Sequence, residues 1–241
     1  MTTDAAGRWD TVPANKRDRI DPRGLWRDLR IVPPAGAPRA ALFLDRDGTI
    51  IEEVDYIARP EDVRAIAAAL ELIAGANARG IPVVVVTNQG GIGRGLLDWA
   101  DYVAVDDAMT TALDAAGAFV DAVYANPHAP PAQGAPPPFG RKPDPGMLTA
   151  AAEDLGLDLT RSWIAGDHVT DLAAGRNAGL ALGWLVPSGH GARHGPDAAA
   201  LAAPNFEVAV GRDLGALTAR LDALSTSDAG TLYEDPSRKE P

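Results

Sequence analysis

The chain has no cysteine among its 241 residues. Disulfides and thiolate metal centres are therefore excluded. Positive charge is in short supply: 22 Lys and Arg face 33 Asp and Glu, for a formal charge of −11. Such a field repels a polyanion, so nucleic acid is not an expected partner. A small phosphorylated substrate stays compatible, because a local Arg, Lys or metal ion outweighs distant charge. Long apolar runs are also missing, all falling far short of the ~20 residues of a membrane span. The opening Met1-Thr2-Thr3-Asp4-Ala5-Ala6-Gly7 lacks the basic-then-apolar pattern of a signal peptide. The expectation is a cytoplasmic protein without a membrane partner, acting as a monomer or homodimer.

Apolar residues make up 46% of the chain, enough at this length for one domain with a full core. Three stretches divide it. Residues 1–39 are charged and proline-bearing and read as an N-terminal extension, either packed on a core through Trp9, Leu25, Trp26 and Ile31 or a loosely ordered arm. Residues 40–225 alternate strand-like and helix-like segments, and residues 226–241 read as a polar tail. Strands are expected at 41–45, 82–87, 121–125, 162–166, 181–186 and 206–210. Helices are expected at 61–79, 98–117, 144–156, 170–178 and 212–224. The first of these carries Val63, Ile66, Ala69, Leu70 and Ile73 at helical spacing. Asp144-Pro145 suits a helix start, as an N-cap acceptor followed by proline. This alternation predicts an α/β fold, a Rossmann-like parallel sheet flanked by helices. Residues 126–140 form a proline-rich loop of a length associated with function.

Ligands of such sheets sit beyond the carboxyl ends of the strands. Asp45-Arg46-Asp47-Gly48-Thr49 lies at one such end, Thr87-Asn88-Gln89 at another and Gly166-Asp167 at a third. Phosphoryl transfer needs a nucleophile, an acid for the leaving oxygen, and positive charge around the group in flight. Asp45 is the candidate nucleophile and Asp47 the candidate acid and base. Gly48 permits the turn that brings backbone N–H groups to phosphate. Thr87 offers a hydroxyl and Lys142 a point charge. Asp45, Asp47, Asp167 and Asp171 are the candidate ligands of Mg²⁺, a cation that prefers oxygen. Taken alone, the first block is also a plain turn, and Thr87-Asn88-Gln89 a plain strand end. Gly90 to Gly95 has the wrong spacing for a dinucleotide fingerprint. Trp163 and Trp184 read as core, His128 as a loop residue, and His190 and His194 as solvent-facing residues of a Gly-rich loop.

In order and spacing, the four blocks resemble the haloacid dehalogenase superfamily of aspartate-nucleophile phosphatases, over about residues 40–215. Val86-Thr87-Asn88-Gln89-Gly90-Gly91-Ile92-Gly93-Arg94-Gly95 and Arg141-Lys142-Pro143-Asp144-Pro145-Gly146 are similar to its heptose 1,7-bisphosphate 7-phosphatase branch, with histidinol-phosphate phosphatases as near relatives. The resemblance implies an aspartyl-phosphate intermediate, Mg²⁺ as cofactor, a small sugar phosphate as substrate and no large cap domain. It implies that Asn88 and Gln89 line the substrate site, that Arg141 meets a second phosphate or sugar hydroxyls, and that Glu53 and Asp55 stand at the mouth.

Two positions depart from the branch. Its zinc loop falls on Asn126, His128, Pro138 and Gly140, where one imidazole cannot replace four ligands, so no zinc is expected. His168 stands where lysine is usual, turning a fixed charge near substrate into a titratable one. Rival readings are a phosphatase for another metabolite, a catalytically idle relative that binds a phosphorylated ligand or partner, and phosphotransfer to an acceptor other than water.

Overall fold

A computed structural model describes residues 11–33, 35–189 and 191–225. Trp9, His190 and the expected tail lie outside the described residues. Seven strands form one sheet in the order β1-β4-β3-β2-β5-β6-β7. They are β1 (Trp26–Leu29), β2 (Leu42–Leu44), β3 (Val83–Asn88), β4 (Ala122–Asn126), β5 (Trp163–Gly166), β6 (Leu182–Leu185) and β7 (Glu207–Val210). The six expected strands are all present and mutually parallel.

The alternation along β2 and β3 explains the layering. Leu42, Leu44, Val83 and Val85 point to one apolar layer, while Phe43, Val84 and Val86 point to the other. Both faces are buried, as a parallel sheet flanked by helices requires. Helices α1 (Ala67–Asn77) and α7 (Gly215–Thr218) cover the first face, and α4 (Gly146–Leu155) and α5 (Val169–Ala178) the second. Helix α3 (Trp99–Ala115) starts at an Asp98–Asp101 capping box. Trp163 and Trp184 are core residues, as expected.

The observed elements differ from the expected ones in four places. First, residues 61–79 are not helical throughout. Ile51 bridges Ala65 and the Ile66 N–H donates to Ile50, so extended pairing holds the chain until α1 starts at Ala67. Second, the extension contributes to the sheet. β1 pairs antiparallel with β4, Trp26 opposite Ala125, so the domain does not begin at residue 40. Third, the expected helix over 212–224 is split into α7 and a 3-10 turn at Leu221–Ala223. Fourth, two helices were not expected: α2 (Gly90–Arg94), and α6 (Gly191–Ala199) where a Gly-rich loop was read. Among the described residues only a short flap separates β2 from α1, and no large cap stands over the sheet.

Candidate active site

Strand β2 is central, and its last residue hands the chain directly to Asp45. The neighbouring strands β3 and β5 end beside it, which brings Thr87 and Asp167 to the same edge. The three blocks far apart in sequence therefore share one cleft of about 620 Å³.

Lys142 sits at its floor, buried, with three oxygen acceptors. Its Nζ lies 2.7 Å from Asp45 Oδ1, 2.7 Å from Asp171 Oδ1 and 2.7 Å from the Val86 carbonyl. Burial opposes its charge, but Asp171 and Asp45 more than offset this and raise its pKa to about 12. The lysine is cationic at any physiological pH. Asn88 fixes its backbone from β3, accepting from the Lys142 N–H at 3.0 Å and donating to its carbonyl at 3.1 Å.

Asp45, Asp167 and Asp171 each present an oxygen within 4.8 Å of the others. Burial pushes the Asp45 carboxyl well above the usual carboxylate range. Lys142 draws it down, and Asp171, Asp167 and Asp47 push it up again. One ammonium thus fails to neutralise three buried carboxylates. An all-oxygen set with surplus negative charge fits a hard divalent cation such as Mg²⁺. Gly48 permits this crowding: its φ is +76°, and a Cβ there would lie 2.3 Å from Asp167 Oδ2. The Gly48 N–H itself donates to the Ile51 carbonyl at 2.8 Å within this turn.

The Asp47 carboxylate stands outside the three-carboxylate group. Arg46 donates to both its oxygens, Nε at 3.1 and 3.2 Å, and Gln89 Nε2 reaches Oδ2 at 2.8 Å. Gln89 also donates to Thr87 Oγ1 at 2.9 Å. The geometry holds Asp47 on a frame of donors, whereas the sequence grouped it with the cation ligands.

The other expected residues separate into rim and support. Glu53 and Asp55 line the mouth. Burial, then Asp47, Asp167 and Asp55, raise Glu53 to about 7. Arg141 lines the mouth too, its Nη1 donating to the His128 carbonyl at 2.7 Å. Burial and the neighbouring Arg94 pull its pKa down. Arg94 rests against Tyr56, which it hydrogen-bonds. His168 lines the cleft but is spent on structure: Nδ1 accepts from the Thr170 N–H at 3.1 Å and caps α5. Its ring lies 4.1 Å from that of His194, which α6 carries. His194 is therefore in a helix against the cleft wall, not in an open loop.

The sequence did not reveal three working residues. Arg46 carries no role in the reading of the sequence. Arg94 was read only as part of a motif. Asn126 was read as a lost zinc ligand, yet it is fully buried and its amide ties the proline-rich loop shut. Its Oδ1 accepts from the His128 N–H at 3.1 Å, and its Nδ2 donates to the Phe139 carbonyl at 2.8 Å. The loop backbone then packs on α2, where a Cβ on Gly93 would fall 2.5 Å from the Pro127 carbonyl oxygen. Two hydrogen bonds from the two loop ends to one buried side chain could not be inferred from spacing.

Comparison with known proteins agrees with this geometry. The HAD-hydrolase-like family model matches residues 139–213. The D-glycero-β-D-manno-heptose-1,7-bisphosphate 7-phosphatase of Mesorhizobium japonicum is 42% identical over 209 residues, covering 84% of this chain and 90% of the relative. A Mesorhizobium loti crystal structure assigned to the HAD-like phosphatases superposes with a TM-score of 0.74 at 40% identity, covering 87% of this chain and 99% of that one. The D,D-heptose 1,7-bisphosphate phosphatase of B. bronchiseptica, in complex with magnesium and phosphate, gives 0.66 at 34% identity, covering 76% and 97%.

Proposed function

The chain belongs to the haloacid dehalogenase-like hydrolases, and on that premise we propose that it is a Mg²⁺-dependent phosphatase that removes the C7 phosphate of D-glycero-D-manno-heptose 1,7-bisphosphate. One observation carries the reading. Asp45 is held by the cationic Lys142 at the end of the central strand, with Asp167 and Asp171 beside it and Asp47 aimed from a separate frame.

In the first step an Asp45 oxygen forms a bond to phosphorus while the bond from phosphorus to the C7 oxygen breaks. Asp47 gives its proton to that oxygen, so the sugar leaves as an alcohol and Asp45 is left as an aspartyl-phosphate. Water then attacks phosphorus, Asp47 takes a proton from it, and the Asp45–phosphorus bond opens to release inorganic phosphate. Lys142 and the Thr87 hydroxyl hold phosphoryl oxygens through both steps. Mg²⁺ held by Asp45, Asp167 and Asp171 supplies the positive charge that lets a carboxylate meet a phosphate.

The mouth supports a bisphosphate. Arg141 and Arg94 place two guanidiniums at one rim, where a second phosphate would be met. Asn88 and Gln89 act from the second row, one on Lys142 and one on Asp47, while still lining the cleft. The loop needs no zinc in this reading, because Asn126 already joins its ends. Among the described residues no helix is long and apolar enough to cross a membrane. A cytoplasmic site of action belongs to the proposal, since a phosphorylated sugar does not cross a bilayer unaided.

The test is phosphate release with Mg²⁺ from both C1 anomers of the heptose bisphosphate, from sugar monophosphates and from histidinol phosphate, with Asp45→Asn as the blank. Selective release from the heptose bisphosphate is the expected result. Selective turnover of another member moves the substrate and keeps the chemistry. Tight binding with no turnover of any member would sink the catalytic reading in favour of an idle binder.

A further inference from the structure

We infer that β1, a strand from the N-terminal arm, acts on catalysis through Trp26, Tyr102 and Arg46, and that Arg46 is the positioning residue for the Asp47 carboxylate. The inference rests on the reading of Asp47 as proton donor. Arg46 is only 1% exposed. A guanidinium buried that deeply persists only if paired. Its pairing is aimed forward: besides the two Nε contacts, Nη2 lies 3.0 Å from Asp47 Oδ1. With Gln89 on Oδ2, the carboxylate is held from two sides.

The arm sets where the guanidinium can sit. Arg46 lies over the Tyr102 ring, 5.4 Å from its centroid. Tyr102 packs edge-on against Trp26 at 5.5 Å and Trp99 at 5.4 Å, and the two indoles stack at 5.3 Å. Trp26 is fixed in turn by the pairing of β1 with β4, and Trp99 by the capped start of α3. Asp106, on the same helix and bonded to Arg30 of the arm at 2.5 Å, adds a negative field behind Arg46. A rigid aromatic wall behind a bidentate donor removes freedom from a short side chain that must point at one oxygen.

A donor that is held in place matters for a poor leaving group and little for a good one. A sugar alkoxide needs a proton as it departs, whereas p-nitrophenolate does not. The experiment compares kcat/KM for heptose 1,7-bisphosphate and for p-nitrophenyl phosphate in the full chain with saturating Mg²⁺, after melting curves confirm folding. Arg46→Met is expected to lose on the order of 10- to 100-fold on the sugar, a share of what general acid catalysis supplies, and only a few-fold on the aryl ester. Arg46→Lys should recover part of the sugar activity. Tyr102→Phe, which keeps the ring, should hold the wild-type ratio between substrates. Tyr102→Leu and Trp26→Leu should shift it in the direction of Arg46→Met. Asp47→Asn gives the limit. If that variant loses preferentially on the sugar while the Arg46, Tyr102 and Trp26 variants lose equally on both substrates, those residues are merely structural and the inference is overturned. If Asp47→Asn itself loses equally on both, the donor role fails and the inference falls with it.

Discussion

Two charge clusters flank Asp47, and they are built on opposite terms. In front, three buried carboxylates, Asp45, Asp167 and Asp171, share a single ammonium. Behind, Arg19 pairs with Asp28, Arg30 with Asp28 and Asp106, and Arg46 with Asp47, so three cations answer three anions. The front is left short of positive charge, which a divalent cation would supply. The rear is neutral within itself and walled by aromatic rings. A catalytic centre is thus recognised less by having many charges than by having charges that do not cancel.

The largest expected effect breaks the front. Asp45→Asn should lower phosphate release by roughly four orders of magnitude or more, to the level of the blank, since no other carboxylate can take the nucleophile's place. Asp106→Ala is its counterpart behind. Leaving Arg30 with Asp28 as its remaining carboxylate should cost about 3 kcal/mol of stability in denaturant melts, with the loss falling first on folding.

Proton linkage sharpens the same contrast. Glu53 is raised to about 7 by burial and its acidic neighbours, and Asp121 to about 6 by burial. Asp45 moves in the same direction. A carboxyl raised in the folded state favours folding at pH below its unfolded value, and that advantage is lost as pH climbs through the folded value. The metal-free protein should therefore melt at progressively lower temperature from about pH 5 to about pH 7.5. Added Mg²⁺ should reverse most of the loss at pH 7.5, because it offsets the front cluster. A melting temperature that rises over this interval without metal would refute the assignment. Replacing Asp121 by Asn should reduce the slope without touching the response to Mg²⁺.

The smallest effect concerns the mouth. Asn126→Ala unties both ends of the proline-rich loop, which carries the carbonyl that orients Arg141. KM for the bisphosphate should rise several-fold with kcat nearly unchanged, alongside a stability cost of about 1–3 kcal/mol from the freed backbone groups. A fall in kcat at constant KM would place the loop in the chemistry instead.

That Asp45, Asp47, Thr87, Lys142 and Asp167 gather in one cleft was legible in the chain because each stands beside a signal of local origin: an apolar run of strand length, a glycine turn or a proline-started helix. The six parallel strands were legible for the same reason, since burial on both faces writes a continuous apolar run into a few adjacent residues. The start of α1 was not, because extended pairing of Ile51 with Ala65 overrides a helical spacing that looks sound by itself. His168 and His194 were read singly, and only the packing of α6 against the start of α5 brings their rings together.

By itself, then, the sequence determined the sheet, the reaction chemistry and the acidic set that asks for a cation, because those depend on neighbours within a few residues. The tertiary structure alone decided that the arm supplies a seventh, antiparallel strand, that an aromatic wall backs Arg46 where it meets Asp47, that Asn126 ties the proline-rich loop, and that the Asp47 carboxylate stands apart from the other three acids. The strand, the wall and the frame around Asp47 depend on contacts between residues tens of positions apart, and the loop on a side chain that reaches across the loop it closes; such contacts leave no period or spacing in the chain that forms them.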